Sequence, residues 1–259
     1  MKQLVKSFFL SCWLCFFVGP ALPFEVTTHA VITKQAWDRF VAIDPIAMNR
    51  LGLVDLKNAF STTGYYDYRP NSGEVPFKRY SLDFDLNIIG RIGGEPYSVS
   101  GWLMRGAIRE DDDVSKTDES PKEDTRGDIH RVFSHFQDPA NSNRALTIPT
   151  LGQLGASASD WALTAVASTP AFLLDGSPQR FNNFNLVSFR ESEWIALTGL
   201  DKTGANVAPV ASIRNVYWAT AFRALGDIVH LNQDMAQPQH TRNDAHAGRF
   251  KGRGSGLAI

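Results

Sequence analysis

A stretch of 26 residues near the carboxyl end constrains the fold of this chain more than any other segment. Residues 212–237 read SIRNVYWATAFRALGDIVHLNQDMAQ, and apolar side chains recur through it at intervals that suit a helix. The members of this apolar stripe are Val216, Ala219, Ala221, Leu225, Ile228 and Val229. Because this spacing places side chains on one face of an α-helix, the segment predicts a long helix that packs against other elements.

Further helical signals predict that the fold is mostly α. The other predicted helices cover residues 24–42, 102–113, 151–168 and 189–200. Thr27 or Thr28 can cap the first of these helices. Residues 61–100 are rich in glycine and proline and predict loops with a short hairpin, and the charged segment 113–128 predicts an exposed loop. We therefore expect a single helical domain with long loops.

The first 23 residues have the pattern of a secretory signal peptide. Lys2 and Lys6 are followed by an uncharged, mostly apolar run over residues 7–18 and then by small residues. This run is shorter than the roughly 20 residues that span a bilayer, which disfavours the alternative of an uncleaved anchor. We expect segment 1–23 to be removed, which leaves a secreted or periplasmic domain over residues 24–259.

Both cysteines of the chain lie within the predicted signal peptide. Removal of Cys12 and Cys15 would leave a mature chain without disulfides or thiolate ligands. A metal site in that chain would consist of histidine, carboxylate and backbone ligands. The formal net charge of −1 gives the chain no overall basic field that would attract nucleic acid or an anionic membrane.

The end of the long predicted helix carries a candidate metal site. The stretch HLNQDMAQPQH places His230 and Asp234 four residues apart, so both side chains leave the same face of the helix. Pro238 ends or kinks the helix, which lets His240 turn back towards the same point. Ring nitrogens and carboxylate oxygens suit Zn²⁺. An ion pair on the helix surface is the alternative interpretation of the His–Asp pair.

Other histidines also lie in apolar segments. His130 and His135 occur in HRVFSHFQDP, and His29 occurs in VTTHAVI at the start of a predicted helix. Each of them alone is compatible with packing or with helix capping. Because five of the six histidines fall in three compact apolar segments, we favour a buried site over a solvated surface.

Three segments of the chain resemble the zinc-dependent phospholipase C and P1/S1 nuclease family. They are TTHAVITKQA, GAIREDDD followed by SHFQDP, and LGDIVHLNQDMAQPQHTRND. The last segment matches the family's Leu-Gly-x-x-x-His-x-x-x-Asp-x-x-x-Pro-x-His core, and all of them occur in the family's order. The resemblance implies a helical fold of the phospholipase C/P1 nuclease type around a cluster of up to three zinc ions.

The resemblance also implies which residues bind these ions. The implied ligands are His29, Asp111, His135, His230, Asp234 and His240. One zinc ion would be held by Asp111, His135, His230 and Asp234. Asp234 would bridge that ion to a second ion, which would be shared with His29 and the mature amino terminus. His240 would serve the remaining ion.

The catalytic residue implied by the resemblance is Asp111, which could take a proton from a metal-bound water. Asp112 and Asp113 follow directly, so the choice among the three carboxylates stays open. His130 and His246 match none of the family's ligands.

Both ends of the chain depart from the family pattern. The mature family proteins usually begin with tryptophan, whereas the corresponding position five residues before His29 is Phe24, and Leu22 is the alternative first residue. The family also has a further His-x-x-x-Glu or His-x-x-x-Asp pair after the core, and the segment 246–259 lacks one. We therefore expect a chain that is truncated at its carboxyl end, with one zinc site incomplete.

The activity implied by the resemblance is zinc-dependent hydrolysis of phosphodiesters, in which metal-activated water attacks phosphorus. A phospholipase C that acts on phospholipid, with peripheral membrane contact, is the first expectation. A single-strand nuclease and a non-catalytic scaffold with an incomplete metal cluster are the alternatives. The sequence indicates no obligate protein partner.

Overall fold

The fold is mostly helical, as the sequence predicts. The computed structural model describes residues 26–44, 46, 68–69, 73–74, 83–111, 132–141, 144–148, 152–164, 168–169 and 180–242. Within these ranges the helices are α1 (Val26–Ile43), α2 (Asp83–Arg91), α3 (Val99–Arg109), α4 (Ala158–Leu163), α5 (Leu186–Thr198), α6 (Ala211–Asp234) and α7 (Pro238–Thr241). A 3-10 turn covers Pro139–Asn141. None of the described helices is long and apolar enough to cross a membrane.

The strands in the described ranges are two residues long and form three antiparallel pairs. They are β1 (Tyr68–Arg69) with β2 (Gly73–Glu74), β3 (Thr147–Ile148) with β4 (Gly152–Gln153), and β5 (Ser168–Thr169) with β6 (Arg180–Phe181). The first pair is the short hairpin that the sequence predicts within residues 61–100.

Helix α6 is the central element of the fold, and it packs against α3, α5 and α1. Its middle is buried on more than the single face that the apolar stripe predicts, because α3 and α5 both cover it. The main core cluster joins Trp102 and Leu103 of α3 to Phe222 of α6, with Phe184 beside them. Burial of these large apolar side chains is the main source of stability.

Two glycines allow α3 and α6 to touch through their backbones. A Cβ added to Gly226 would overlap the Leu103 carbonyl oxygen and lie 2.8 Å from the Cα of Gly106. A Cβ added to Gly106 would overlap the Arg223 carbonyl oxygen. The absence of both side chains therefore sets the spacing of the two helices that lead into the candidate site.

Helix α1 differs from the sequence-based prediction at its start. It begins at Val26, so Thr27 and Thr28 lie inside its first turn and neither occupies the position before the helix that an N-cap requires. Helix α2 lies within a region predicted to be loops. It forms because Ile88 and Ile89 pack against Ala30 of α1 and against α3.

The segment 151–168 also differs from its prediction, which was one Ala-rich helix. Gly152 has a φ of 79° and belongs to strand β4, a backbone conformation that a helix does not accommodate. Helix α4 begins only at Ala158, where the Ser157 hydroxyl accepts a hydrogen bond from the Asp160 backbone N–H. Helix α6 in turn ends at Asp234, and Pro238 begins the separate short helix α7.

Candidate metal centre

Four separate parts of the chain meet at one end of α6. His230 and Asp234 occupy the last turns of α6, and His29 lies in the first turn of α1. Asp111 follows the end of α3, and His135 lies in the turn before Pro139. Because α1 and α3 both pack against α6, these distant side chains share one pocket.

The pocket is buried except at one side. His29, His135 and His230 are 0% exposed, and Asp234 is 1% exposed. The Asp111 side chain is 24% exposed. Solvent therefore reaches the centre on the side where Asp111 lies.

Asp234 contacts three imidazoles through both of its oxygens. Its Oδ2 lies 2.9 Å from His135 Nδ1 and 3.2 Å from His230 Nε2. Its Oδ1 lies 3.6 Å from His29 Nε2. The two oxygens thus face different histidines, which is the arrangement expected of a carboxylate that bridges two cations.

Asp111 contacts the same three rings from the other side. Its Oδ1 lies 3.4 Å from His135 Nδ1 and 3.7 Å from His230 Nε2. Its Oδ2 lies 3.7 Å from His29 Nε2. Ligands bound tetrahedrally to zinc at 2.0–2.1 Å lie about 3.3 Å from one another, so these separations suit a shared ion.

Two of the histidines are held in the tautomer that a metal ligand requires. His230 Nδ1 donates to the Ala107 carbonyl oxygen at 2.6 Å, and His29 Nδ1 donates to Gln233 Oε1 at 2.7 Å. The Gln233 amide is itself fixed, because its Nε2 donates to Thr33 Oγ1 at 2.9 Å. With the proton on Nδ1, each ring presents the lone pair of Nε2 to the centre.

Several buried polar atoms of the centre have no hydrogen bond. They are both ring nitrogens of His135, His230 Nε2 and Asp234 Oδ2. His135 Nδ1 and Asp234 Oδ2 are close enough for a hydrogen bond, but their directions do not meet its geometry. Buried polar atoms without partners cost about 1–3 kcal/mol each, so this donor set fits a cation better than it fits a packed core.

Electrostatics keep His29 and Asp234 in the forms that bind metals. Burial and the neighbouring His230 lower the pKa of His29 to about 4, so the ring is neutral. Burial opposes ionisation of Asp234, but the close His230 and His135 rings outweigh it and hold the pKa of its carboxyl well below the usual range. Two groups of side chains, His29–Asp111–His230 and His135–His230–Asp234, could each hold a metal ion.

His135 differs from His29 because carboxylates surround it. Burial disfavours its charged form, but Asp234 and Glu110 outweigh burial and raise its pKa to about 10. Without a bound cation, the ring is therefore a positively charged imidazolium at neutral pH, with a proton on each nitrogen. A metal that binds to His135 must displace one of these protons.

We expect the free energy of unfolding of the metal-free protein to fall as the pH rises from 6.5 to 10. The folded state keeps the His135 proton up to a pKa of about 10, whereas the unfolded chain releases it near 6.5. The stabilisation from His135 is complete below pH 6.5, and its loss above that pH contributes at most about 1.4 kcal/mol per pH unit to the slope. His230, whose pKa is also raised, adds to this fall, whereas the lowered pKa of His29 opposes it only close to pH 6.5, where the unfolded chain still protonates that ring.

Urea denaturation in EDTA at several pH values measures this slope. His135→Gln should make the slope smaller, because one titrating ring is gone while His230 remains. A metal ion that saturates the centre should remove or reverse the slope, because a histidine must lose a proton to bind a metal. A metal-free stability that rises between pH 6.5 and 10 would contradict the assigned environment of His135.

His240 lies beside the cluster rather than within its two groups. Its Nδ1 donates to the His135 carbonyl oxygen at 2.9 Å and lies 3.7 Å from Asp234 Oδ2. Its ring stacks on Phe136, with the ring centroids 4.6 Å apart. The remaining named candidates, Asp112, Asp113, His130 and His246, lie outside the described residues, as do Leu22, Phe24 and the predicted signal peptide.

Sequence reasoning missed two buried residues of the centre. Gln233 orients His29, and nothing in the sequence distinguishes it from an ordinary helix-surface glutamine. Glu110 is 1% exposed and lies against His135, whereas the acidic run in which it stands predicts the exposed end of a helix.

Comparison of the chain with protein-family models, curated proteins and solved structures gives no match.

Proposed function

We propose that this chain is a zinc-dependent hydrolase of phosphodiesters, related to the phospholipase C and P1/S1 nuclease family. The observation that carries the proposal is the convergence of three buried imidazoles and two carboxylates from four parts of the chain. A structural His–Asp ion pair needs one imidazole and one carboxylate, whereas a metal cluster needs a donor set of this size.

The donor set favours zinc over other cations. It combines imidazole nitrogens with carboxylate oxygens, and the described residues contribute no sulfur to it. His135, His230, Asp234 and Asp111 would hold one ion. Asp234 Oδ1 and His29 would bind a second ion, and His240 would take part in a further site.

Bound zinc would lower the pKa of a coordinated water and offset the negative charge of the phosphodiester. Asp111 is the group that we assign to proton transfer. Its side chain is the exposed one of the centre, at 24%, so water and substrate approach it first. When zinc is bound, its carboxylate would accept a proton from the metal-bound water.

The substrate class that we propose is a phospholipid rather than a polynucleotide. A net charge of −1 gives the chain no basic field that would hold a polyanion. The proposed setting is outside the cytoplasm, as the predicted signal peptide implies, with peripheral contact between the enzyme and a lipid surface.

Hydrolysis of bis(4-nitrophenyl) phosphate by the purified protein tests the proposal. We expect turnover that 1,10-phenanthroline abolishes and that added zinc restores. Hydrolysis of phosphatidylcholine, measured beside cleavage of single-stranded DNA, then identifies the substrate class. A protein that contains zinc but hydrolyses none of these esters would refute the enzymatic function and leave a metal-binding scaffold.

A further inference from the structure

We propose that Glu110 is a positioning residue that orients the His135 ring, so that His135 binds the metal through Nδ1. His29 and His230 present Nε2, so His135 would be the exception among the three rings. This inference rests on the proposed zinc centre and adds a specific coordination to it.

The two nitrogens of His135 face different surroundings. Nδ1 lies 2.9 Å from Asp234 Oδ2 and 3.4 Å from Asp111 Oδ1, so it points into the centre. Nε2 lies on the other side of the ring, 3.5 Å from Glu110 Oε1. If His135 bound a metal through Nε2, the ring would have to turn away from both carboxylates of the centre.

Glu110 is held firmly enough to orient a neighbour. Its backbone N–H donates to the Gly106 carbonyl oxygen at 3.1 Å and closes the end of α3. Its side chain is 0% exposed, and Oε1 accepts a hydrogen bond from Trp161 Nε1 at 2.9 Å. Trp161 is itself 2% exposed, in a core cluster that includes Leu231 of α6.

The chemistry of a carboxylate determines which tautomer this contact favours. Glu110 Oε1 accepts a hydrogen bond from Trp161, so the oxygen that faces His135 is an acceptor and favours a proton on His135 Nε2. A proton on Nε2 leaves the lone pair of Nδ1 for the metal. A ligand histidine whose second nitrogen is held by a carboxylate is a common feature of zinc sites.

Hydrogen bonds also fix the backbone at His135, so Glu110 would affect only the orientation of the ring. The His135 N–H donates to the Val132 carbonyl oxygen at 3.2 Å, and its own carbonyl oxygen accepts from His240 Nδ1 at 2.9 Å. The neighbouring Ser134 hydroxyl accepts from the Ala156 N–H at 3.2 Å. Rotation of the side chain is the freedom that remains at this position.

Substitution of Glu110 tests the proposal. Glu110→Ala should weaken zinc binding about 10- to 100-fold, the usual effect of losing a partner of a metal ligand. Glu110→Gln should lose less, because its Oε1 can still accept from Trp161 and still lie against His135 Nε2. Competition with a chromophoric chelator gives the zinc affinities, and circular dichroism checks folding. The matched control is Glu193→Gln, because Glu193 is a partly buried glutamate on α5.

Long-range ¹H–¹⁵N spectra of the zinc-loaded wild-type protein provide a readout that does not depend on folding of a variant. We expect His135 to show a metal-bound Nδ1 and a protonated Nε2, whereas His29 and His230 show the reverse. A metal-bound His135 Nε2, or a folded Glu110→Ala variant with wild-type zinc affinity, would overturn this inference alone. A wild-type protein that binds no zinc would overturn the metal centre as well.

Discussion

Asp234→Asn is expected to lower the proposed zinc-dependent hydrolysis by more than about 100-fold and to abolish the proposed binding of zinc. Loss of an outer partner of a metal ligand costs up to about 100-fold, and Asp234 is assigned a direct role at two ions. Asparagine keeps the shape of the side chain but lacks the charge that the neighbouring rings stabilise in the carboxylate. The variant thus separates charge from packing.

Metal content by mass spectrometry and turnover of bis(4-nitrophenyl) phosphate measure this loss. Asp38→Asn is the matched control, because Asp38 is a carboxylate on α1 that is 56% exposed and pairs with Lys34. It should leave both quantities unchanged. Wild-type zinc content and turnover in Asp234→Asn would rule out Asp234 as the bridging ligand.

Gly226→Ala is expected to lower the free energy of unfolding by about 3 kcal/mol, at the upper end of the effects of overpacking. The new methyl group would overlap the Leu103 carbonyl oxygen, a backbone atom that cannot rotate away. Helices α3 and α6 must then separate, which also pulls the Ala107 carbonyl oxygen away from His230 Nδ1. Zinc affinity should fall along with stability.

The control for this prediction is Gly90→Ala in α2. A Cβ at Gly90 meets no atom within 4 Å, so alanine should stabilise that helix by up to about 1 kcal/mol. Intrinsic helix propensity favours alanine at both positions. Changes of opposite sign in the free energy of unfolding, measured by urea denaturation, would therefore be due to the close contact between α3 and α6. Gly226→Ala with wild-type stability would show that the two backbones are not in contact.

The parts of the centre that lie within one helix could be predicted from spacing. His230 and Asp234 are one turn apart on a strongly periodic segment, so their shared face follows from helix geometry. Their meeting with His29 and His135 depends on how α1 and the turn before Pro139 pack against α6. That packing leaves no periodic signal, and the expectation came from the resemblance of short motifs.

Local composition misled the sequence interpretation where tertiary contacts decide the structure. The glycine-rich composition around α2 predicted a loop, but the segment is helical because Ile88 and Ile89 pack against α1 and α3. Glu110 lies in an acidic run, which is typical of a solvent-exposed segment. It is nevertheless buried, and its side chain accepts a hydrogen bond from Trp161, which is 51 residues away in the sequence. Contacts across such distances are set by the fold and not by adjacent residues.

Diffraction on either side of the zinc absorption edge, from crystals grown with zinc, tests the central claim most directly. We predict an anomalous peak about 2.0–2.1 Å from Asp234 Oδ2, His230 Nε2 and His135 Nδ1. The same peak should be absent from Asp234→Asn crystals. Wild-type crystals without a peak between these atoms, or with the three rings turned away from Asp234, would contradict the existence of the metal centre.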